Sequence, residues 1–311
     1  MNRNKSLDFV PGNAICYSGY RKGQSPQKKI YPDYNQVKED LWILQKNWDY
    51  IRLYDGSKHA ELVLEIIQTE KLNLKVMLGA NIAAEVNNSA CPWGGVYSEE
   101  TLIRNKESNL NEIKKIIQLS IKYPDIVFSL SAGNEATVDW TDHLVPVTKV
   151  IEFVRMMKTE SGHPVTFCEN YLPWHNKLKP LVKEVDFISI HTYPVWEYKQ
   201  IREALDFTKE NYYGLAERYP DKLVVITEAG WATKSDGKVI KPENVNEAYQ
   251  EIYYHELVNW TKKEGILAFV LEAFDEPWKG SPDKSDPEKH WGLFYENRKP
   301  KKVMKKYYPG L

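Results

Sequence analysis

Several absences narrow the reading of this 311-residue sequence. No apolar run reaches the roughly 18 residues that a membrane-spanning helix needs. Cysteine is scarce: Cys16, Cys91 and Cys168 stand far apart, with no CxxC, HExxH or CxxC…HxxxH pattern around them. Neither a disulfide framework nor a structural zinc site is expected, and the three read as small buried side chains. Neither GxGxxG nor GxxxxGK[ST] occurs, which removes the phosphate-cradling loops of nucleotide-binding folds. An excess of one charge is also missing: 42 Lys and Arg against 43 Asp and Glu leave a net charge of −1. Such a surface has no global field to hold nucleic acid. The lysine cluster KPKKVMKK near the C-terminus reads as a solvated helix face. The opening MNRNKSLDFVPG has no apolar core of a signal peptide.

What is present is a folding pattern. With 42% hydrophobic and 27% charged residues the chain can bury a full core. Short apolar or β-branched runs recur eight times: AICYSGY from 14, YIRLYDG from 50, KVMLGAN from 75, DIVFSLSAGNE from 125, VTFCEN from 165, DFISIHTYP from 186, LVVITEAGW from 223 and ILAFVLEAFDEPW from 266. Stretches with helical spacing separate them, among them YNQVKEDLWILQKNW, HAELVLEIIQTEK, SNLNEIKKIIQLSIKYP, VTKVIEFVRMMKTESG and NVNEAYQEIYYHELVNWTKKEG. Strands alternating with helices imply parallel pairing, and eight such units close into a (β/α)8 TIM barrel. No Pro/Gly/Ser linker divides the chain, so a single domain over 1–311 is expected.

In such a barrel the loops after the strands carry the active site. Polar residues gather at those strand ends: Arg52, Tyr54 and Asp55 on the second run, Asn134 and Glu135 on the fourth, Glu169 and Asn170 on the fifth, His191 and Tyr193 on the sixth, Glu228 on the seventh, and Glu272, Asp275 and Glu276 on the eighth. Seven of the ten tryptophans also fall at or after strand ends: Trp93, Trp140, Trp174, Trp196, Trp231, Trp278 and Trp291. Flat aromatic plates among acids and amides match a sugar ring, which has apolar C–H faces and a polar rim. Large aromatics also pin long loops, so each tryptophan alone is ambiguous. Two carboxyl groups facing each other across the mouth suit glycosidic cleavage, where one protonates the leaving oxygen and the other attacks or activates water. Glu135 and Glu228 are the candidates, although several other rim acids compete on position alone.

Four motifs in chain order, SAGNEA, IHTYP, ITEAGW and EAFDEPWK, together with IRLYD and HWGLFYENRKPK, resemble glycoside hydrolase family 17 in its bacterial and fungal branch. The resemblance runs from CYSGYRKGQSP to WGLFYENRKPK and implies a retaining β-1,3-glucan hydrolase built on a (β/α)8 barrel. It implies Glu135 as general acid/base, Glu228 as nucleophile, and Asn134 as a donor to the sugar 2-hydroxyl. Glu272, Glu276 and Lys279 are implied as a polar cluster around the nucleophile, Tyr193 as its neighbour, and Trp231 and Trp278 as contacts to the glucose rings. Arg52 and Tyr54 are further candidates for orienting Glu228 or binding sugar. Pairing with Asp55 is an equal reading for Arg52, while His191 reads as packing beneath the site and Glu169 as rim or loop acceptor. The acid is expected in a setting that raises its pKa, and the nucleophile beside cations or donors that keep it ionised.

A β-1,3-glucan transglycosylase, passing the same intermediate to a sugar hydroxyl, is the alternative. A non-catalytic glucan-binding barrel is a weaker one, because both acids are present. Seven scattered histidines do not form the pairs of a metal hydrolase, so no metal and no cofactor are expected. The expected partner is a polysaccharide or oligosaccharide, the expected state a monomer, and the expected location secreted or cell-envelope, with a signal segment outside this sequence. Whether a glucan is cut internally or from its end depends on loops, and the stretch from Asn81 to Thr101 is the first candidate for a wall across the cleft.

Overall fold

Strands and helices alternate through the computed structural model, which describes residues 9–311; residues 1–8 of the expected domain lie outside the described residues. In chain order these are β1 (Ala14–Cys16), α1 (Tyr34–Leu44), β2 (Tyr50–Leu53), α2 (Lys58–Thr69), β3 (Lys75–Gly79), α3 (Glu99–Lys122), β4 (Val127–Asn134), α4 (Val147–Ser161), β5 (Val165–Asn170), α5 (Tyr171–His175), α6 (Lys179–Val182), β6 (Ile188–Thr192), α7 (Ile201–Ala216), β7 (Val224–Ala229), α8 (Glu247–Glu264) and β8 (Ala268–Val270). Every strand runs parallel to its neighbours, and β1 pairs with both β2 and β8, closing an eight-stranded barrel. The TIM barrel read from the sequence is the fold of this protein.

The strands are apolar without alternation because both faces are covered, one by the barrel interior and one by helices. In β5, β6 and β7 every residue is buried. The helices turn apolar stripes inward. In α2 these are Val63, Leu64, Ile66 and Ile67, each worth about 1.5–3 kcal/mol on burial. Side chains fix where helices begin: Asp33 accepts the Gln36 N–H at 2.9 Å while the Gln36 side chain accepts the Asp33 N–H at 3.1 Å. At the end of α4, Gly162 takes φ 71°, a left-handed turn that a Cβ would strain.

Two expectations are corrected. Helix α3 begins at Glu99 rather than at Ser108, where the apolar spacing starts. Ser98 caps it by accepting the Thr101 N–H at 3.2 Å, and Glu99 and Glu100 face the positive end of the helix dipole; neither device leaves an apolar period. The KPKKVMKK segment is not a solvated helix face. It runs as turns along the barrel, burying Lys301, Val303 and Met304, and Lys301 Nζ donates to Asp275 Oδ1 at 2.7 Å and Thr233 Oγ1 at 2.8 Å. The three cysteines are free and buried, as read.

Candidate active site

Irregular strand ends aim the acids. In β4 the pairing with β5 shifts register between Ser131 and Asn134. A bulge of this kind leaves ladder groups unpaired and re-aims the side chains beyond it. Ser131 bridges the gap: its Oγ donates to Gly133 O at 2.6 Å and accepts the Cys168 N–H at 3.1 Å. Gly133 takes φ 152°, a conformation that strains any side chain, and a Cβ there would also stand 2.6 Å from Ile82 Cδ1 and 2.9 Å from Phe167 Cε2. The chain then passes to Glu135, whose side chain is 28% exposed. Register also shifts on both sides of β7, before His191 on β6 and between Ile226 and Ala229 toward β8, and Glu228 lies in that stretch.

Glu228 is only 8% exposed and is surrounded by donors. Arg52 Nη1 reaches its Oε1 from β2 at 2.5 Å, and Tyr54 Oη donates to the same oxygen at 2.9 Å. Tyr193 Oη donates to Oε2, and His191 Nδ1 lies 3.3 Å from it. Burial pushes the carboxyl up, but the His191 and Arg52 cations and the two hydroxyls outweigh it and bring Glu228 down to about 2. The same His191 Nδ1 lies 2.8 Å from Glu135 Oε1. Burial acts to lower the imidazole, yet Glu228, with Cys168 and Glu135, holds it up at about 10. His191 thus lies between the two acids, hydrogen-bonded to Glu135 and 3.3 Å from Glu228, so it couples them rather than merely packing beneath the site.

Glu135, His191 and Glu228 offer ligand atoms within 4.8 Å of one another. A metal would need the Nδ1 lone pair, which the hydrogen bond to Glu135 at 2.8 Å already engages, with Glu228 3.3 Å away. The cluster therefore suits an acid–base pair better than a cation. Asn134 Oδ1 accepts from Arg52 Nη2 at 2.5 Å, which commits the oxygen and leaves the amide nitrogen as donor. Arg52 is spent on Glu228 and Asn134, not on Asp55, whose Oδ1 accepts the Ser57 N–H at 3.0 Å.

A second cluster lies on the segment after β8. Lys279 Nζ is 3.0 Å from Glu272 Oε2 and also pairs with Glu276, while Trp278 Nε1 donates to Glu276 Oε1 at 3.1 Å. Burial, with Glu276 alongside, holds the Glu272 carboxyl well above the usual range. Trp278 is half-buried with its ring edge-on to Tyr20 at 5.9 Å, and it remains a candidate plate for a sugar. Trp231 does not: it is 1% exposed, its Nε1 donates to Asn244 O at 3.1 Å, and Tyr253 packs 5.8 Å from its ring. Trp174 and Trp291 are likewise buried, so three of the seven strand-end tryptophans belong to the core. Asp275 is absorbed by Lys301.

Sequence reading passed over Glu288. It is half-buried on the turn Pro287–Lys289, and burial pushes its carboxyl up to about 7, with Lys279 opposing and Asp286, Glu135 and Glu228 adding to the rise. The motif PEKHWGLF ends in the recognised HWGLF, but nothing in the spacing says that this turn brings an acid near enough to feel the charges of Glu135 and Glu228. The wall-candidate loop after β3 is anchored to the loop after β4, because Asn88 Nδ2 donates to Asp139 O and Thr141 O, both at 2.8 Å. Trp93 and Trp140 stand out from these loops at 67% and 37% exposure.

Several known proteins share sequence or shape with this chain. A glucan 1,3-beta-glucosidase of Arthroderma benhamiae is 33% identical over 130 residues, 38% of this chain and 41% of that protein. A probable glucan endo-1,3-beta-glucosidase btgC of Aspergillus clavatus is 25% identical over 300 residues, 89% of this chain and 40% of that protein. This chain thus matches well under half the length of these curated relatives. Among solved structures, an endo-laminarinase from Formosa Hel1_33_131 superposes with a TM-score of 0.82 at 26% identity, over 96% of this chain and 86% of that one. A Rhizomucor miehei beta-1,3-glucanosyltransferase in complex with laminaritriose shares the fold, with a TM-score of 0.73 at 20% identity over 94% and 96% of the two chains. The family model described as the BtgE/BtgC glycoside hydrolase domain matches residues 14–292, spanning all the strands and both glutamates, and the chain belongs to that family.

Proposed function

We propose that this protein is a retaining β-1,3-glucan hydrolase of glycoside hydrolase family 17, acting as a monomeric single-domain barrel. The observation that carries the reading is the pairing of Glu135 with Glu228. Their carboxylates come within 4.8 Å of each other through His191, the more buried one held ionised and the more exposed one open to substrate. An oxygen of each within 4.8 Å of the other supports the close pairing of retaining enzymes, whose carboxyl groups stand roughly 5–5.5 Å apart, over the about 6.5–9.5 Å that leaves room for a water in inverting ones.

Glu135 protonates the glycosidic oxygen while the Glu228 carboxylate attacks the anomeric carbon, giving a covalent glycosyl ester. Glu135, now a base, takes a proton from water, and the hydroxide displaces Glu228 with overall retention. Arg52, Tyr54 and Tyr193 keep the nucleophile charged and aimed, and the Asn134 amide donates to the 2-hydroxyl as charge develops. Trp278 supplies an apolar face for a glucose ring. The printed activities of the relatives, glucan 1,3-beta-glucosidase and endo-laminarinase, support a β-1,3-glucan as substrate. A polymer of this kind does not cross a membrane, so the reading carries an exported or cell-envelope location.

The test is product analysis on linear β-1,3-glucan with a β-1,4-glucan control. Wild type is expected to cut only the β-1,3 chain and to release the β-anomer first, as followed by proton NMR. Glu228→Ala is expected to fall to background, and Glu135→Gln to lose about 10²–10⁴-fold. First release of the α-anomer, or full activity in either variant, sinks the assignment. A transglycosylase would form the same ester, and Trp93 and Trp140 offer exposed plates on which a sugar acceptor could dock. Products longer than the substrate at high concentration select that reading.

A further inference from the structure

The acid stands on a strained piece of backbone. Glu135 has φ 44°, in the left-handed region that side chains other than glycine occupy only when their surroundings hold them there. The holding contacts come from β5. The Glu135 N–H donates to Cys168 O at 2.9 Å. Two residues on, Thr137 donates twice to Glu169 Oε2, through its N–H at 2.9 Å and its hydroxyl at 2.6 Å. Glu169 Oε1 accepts the Asn170 N–H at 2.8 Å. Glu169 is fully buried, and burial followed by the Glu135 charge pushes its carboxyl up to about 7. A buried carboxyl is costly unless donors satisfy it, and here Thr137 and the Asn170 N–H do so.

We propose that Glu169 is a positioning residue for the acid, clamping Thr137 to β5 so that the left-handed turn keeps the Glu135 carboxyl aimed at the glycosidic oxygen. The inference rests on Glu135 being the acid/base. It predicts damage confined to reactions that need a proton delivered to the leaving group.

Two substrates separate this from a general loss of structure: laminaritetraose, whose leaving sugar must be protonated, and dinitrophenyl β-laminaribioside, whose phenolate leaves without a proton. Glu169→Ala is expected to lower kcat/KM on laminaritetraose by about tenfold or more and on the aryl glycoside by less than about twofold. Glu169→Gln keeps an oxygen for Thr137 and is expected to recover to within about threefold of wild type on laminaritetraose. If Glu169→Ala fails to fold, Glu169→Asp, one methylene short of Thr137, takes its place in the same comparison. Equal losses on the two substrates, no loss on laminaritetraose, or a Gln variant as impaired as Ala overturns the clamp. A wild type inert on both substrates sinks the parent reading and this one with it.

Discussion

At the scale of single residues, His191 decides the protonation of the mouth. It is fully buried, with Nδ1 toward Glu135 and Glu228, and its cation persists because Glu228 supplies the largest opposing charge. Its folded value near 10 lies above the ordinary 6.5 of histidine, so the stability it contributes is complete below pH 6.5 and is lost as pH rises through about 10. Glu228 runs the other way: depressed to about 2 from 4.5, it contributes fully above pH 4.5 and loses that contribution as pH falls toward 2. An imidazole NMR titration is expected to find His191 still protonated at pH 8 in the wild type. In Glu228→Gln, whose amide carries no charge, its midpoint falls. An unchanged midpoint in that variant removes Glu228 as the cause.

Among the elements, the strands were legible and the couplings between them were not. All eight runs became strands because a parallel barrel buries both faces and writes itself as continuous β-branched and apolar sequence. Glu135 and Glu228 were legible too, as acids where such runs end. His191 was misread because its contact with Glu135 depends on which strand ends face each other across the barrel, and register shifts in β4, β6 and β7 set that. Trp231 was misread for a related reason: the residue sits three after Glu228, but the chain has already turned it inward under Asn244. The C-terminal lysines show the limit of composition, since Lys301 among them is the buried partner of Asp275. Lys301→Ala is expected to destabilise the fold by about 2–4 kcal/mol, because it leaves the buried Asp275 carboxylate without its lysine, held only by the Gly292 N–H with the His290 ring 3.7 Å away. Chemical denaturation checks this, and Lys301→Ala combined with Asp275→Ala should recover part of the loss. A single variant within about 0.5 kcal/mol of wild type means the pair is solvated.

For the molecule as a whole, binding and stability are linked. A laminari-oligosaccharide that engages only the folded barrel adds RT ln(1 + [L]/Kd), or about 2.7 kcal/mol at a hundredfold excess over Kd. Glu228→Gln, which cannot turn the sugar over, is expected to melt at higher temperature with laminarihexaose and at an unchanged temperature with a β-1,4 oligomer of equal length. Equal shifts with both sugars overturn the substrate class. The closed ring also bears on how faithfully the gap between the glutamates is kept. From β4 to β7 there are two independent routes around the barrel, three pairings through β5 and β6, and five through β3, β2, β1 and β8. A span held from both sides is redundant in the engineer's sense: loosening one pairing leaves the other arc to fix the distance. An open sheet carrying the same two acids would have a single arc, and each frayed pairing would add its error to the gap.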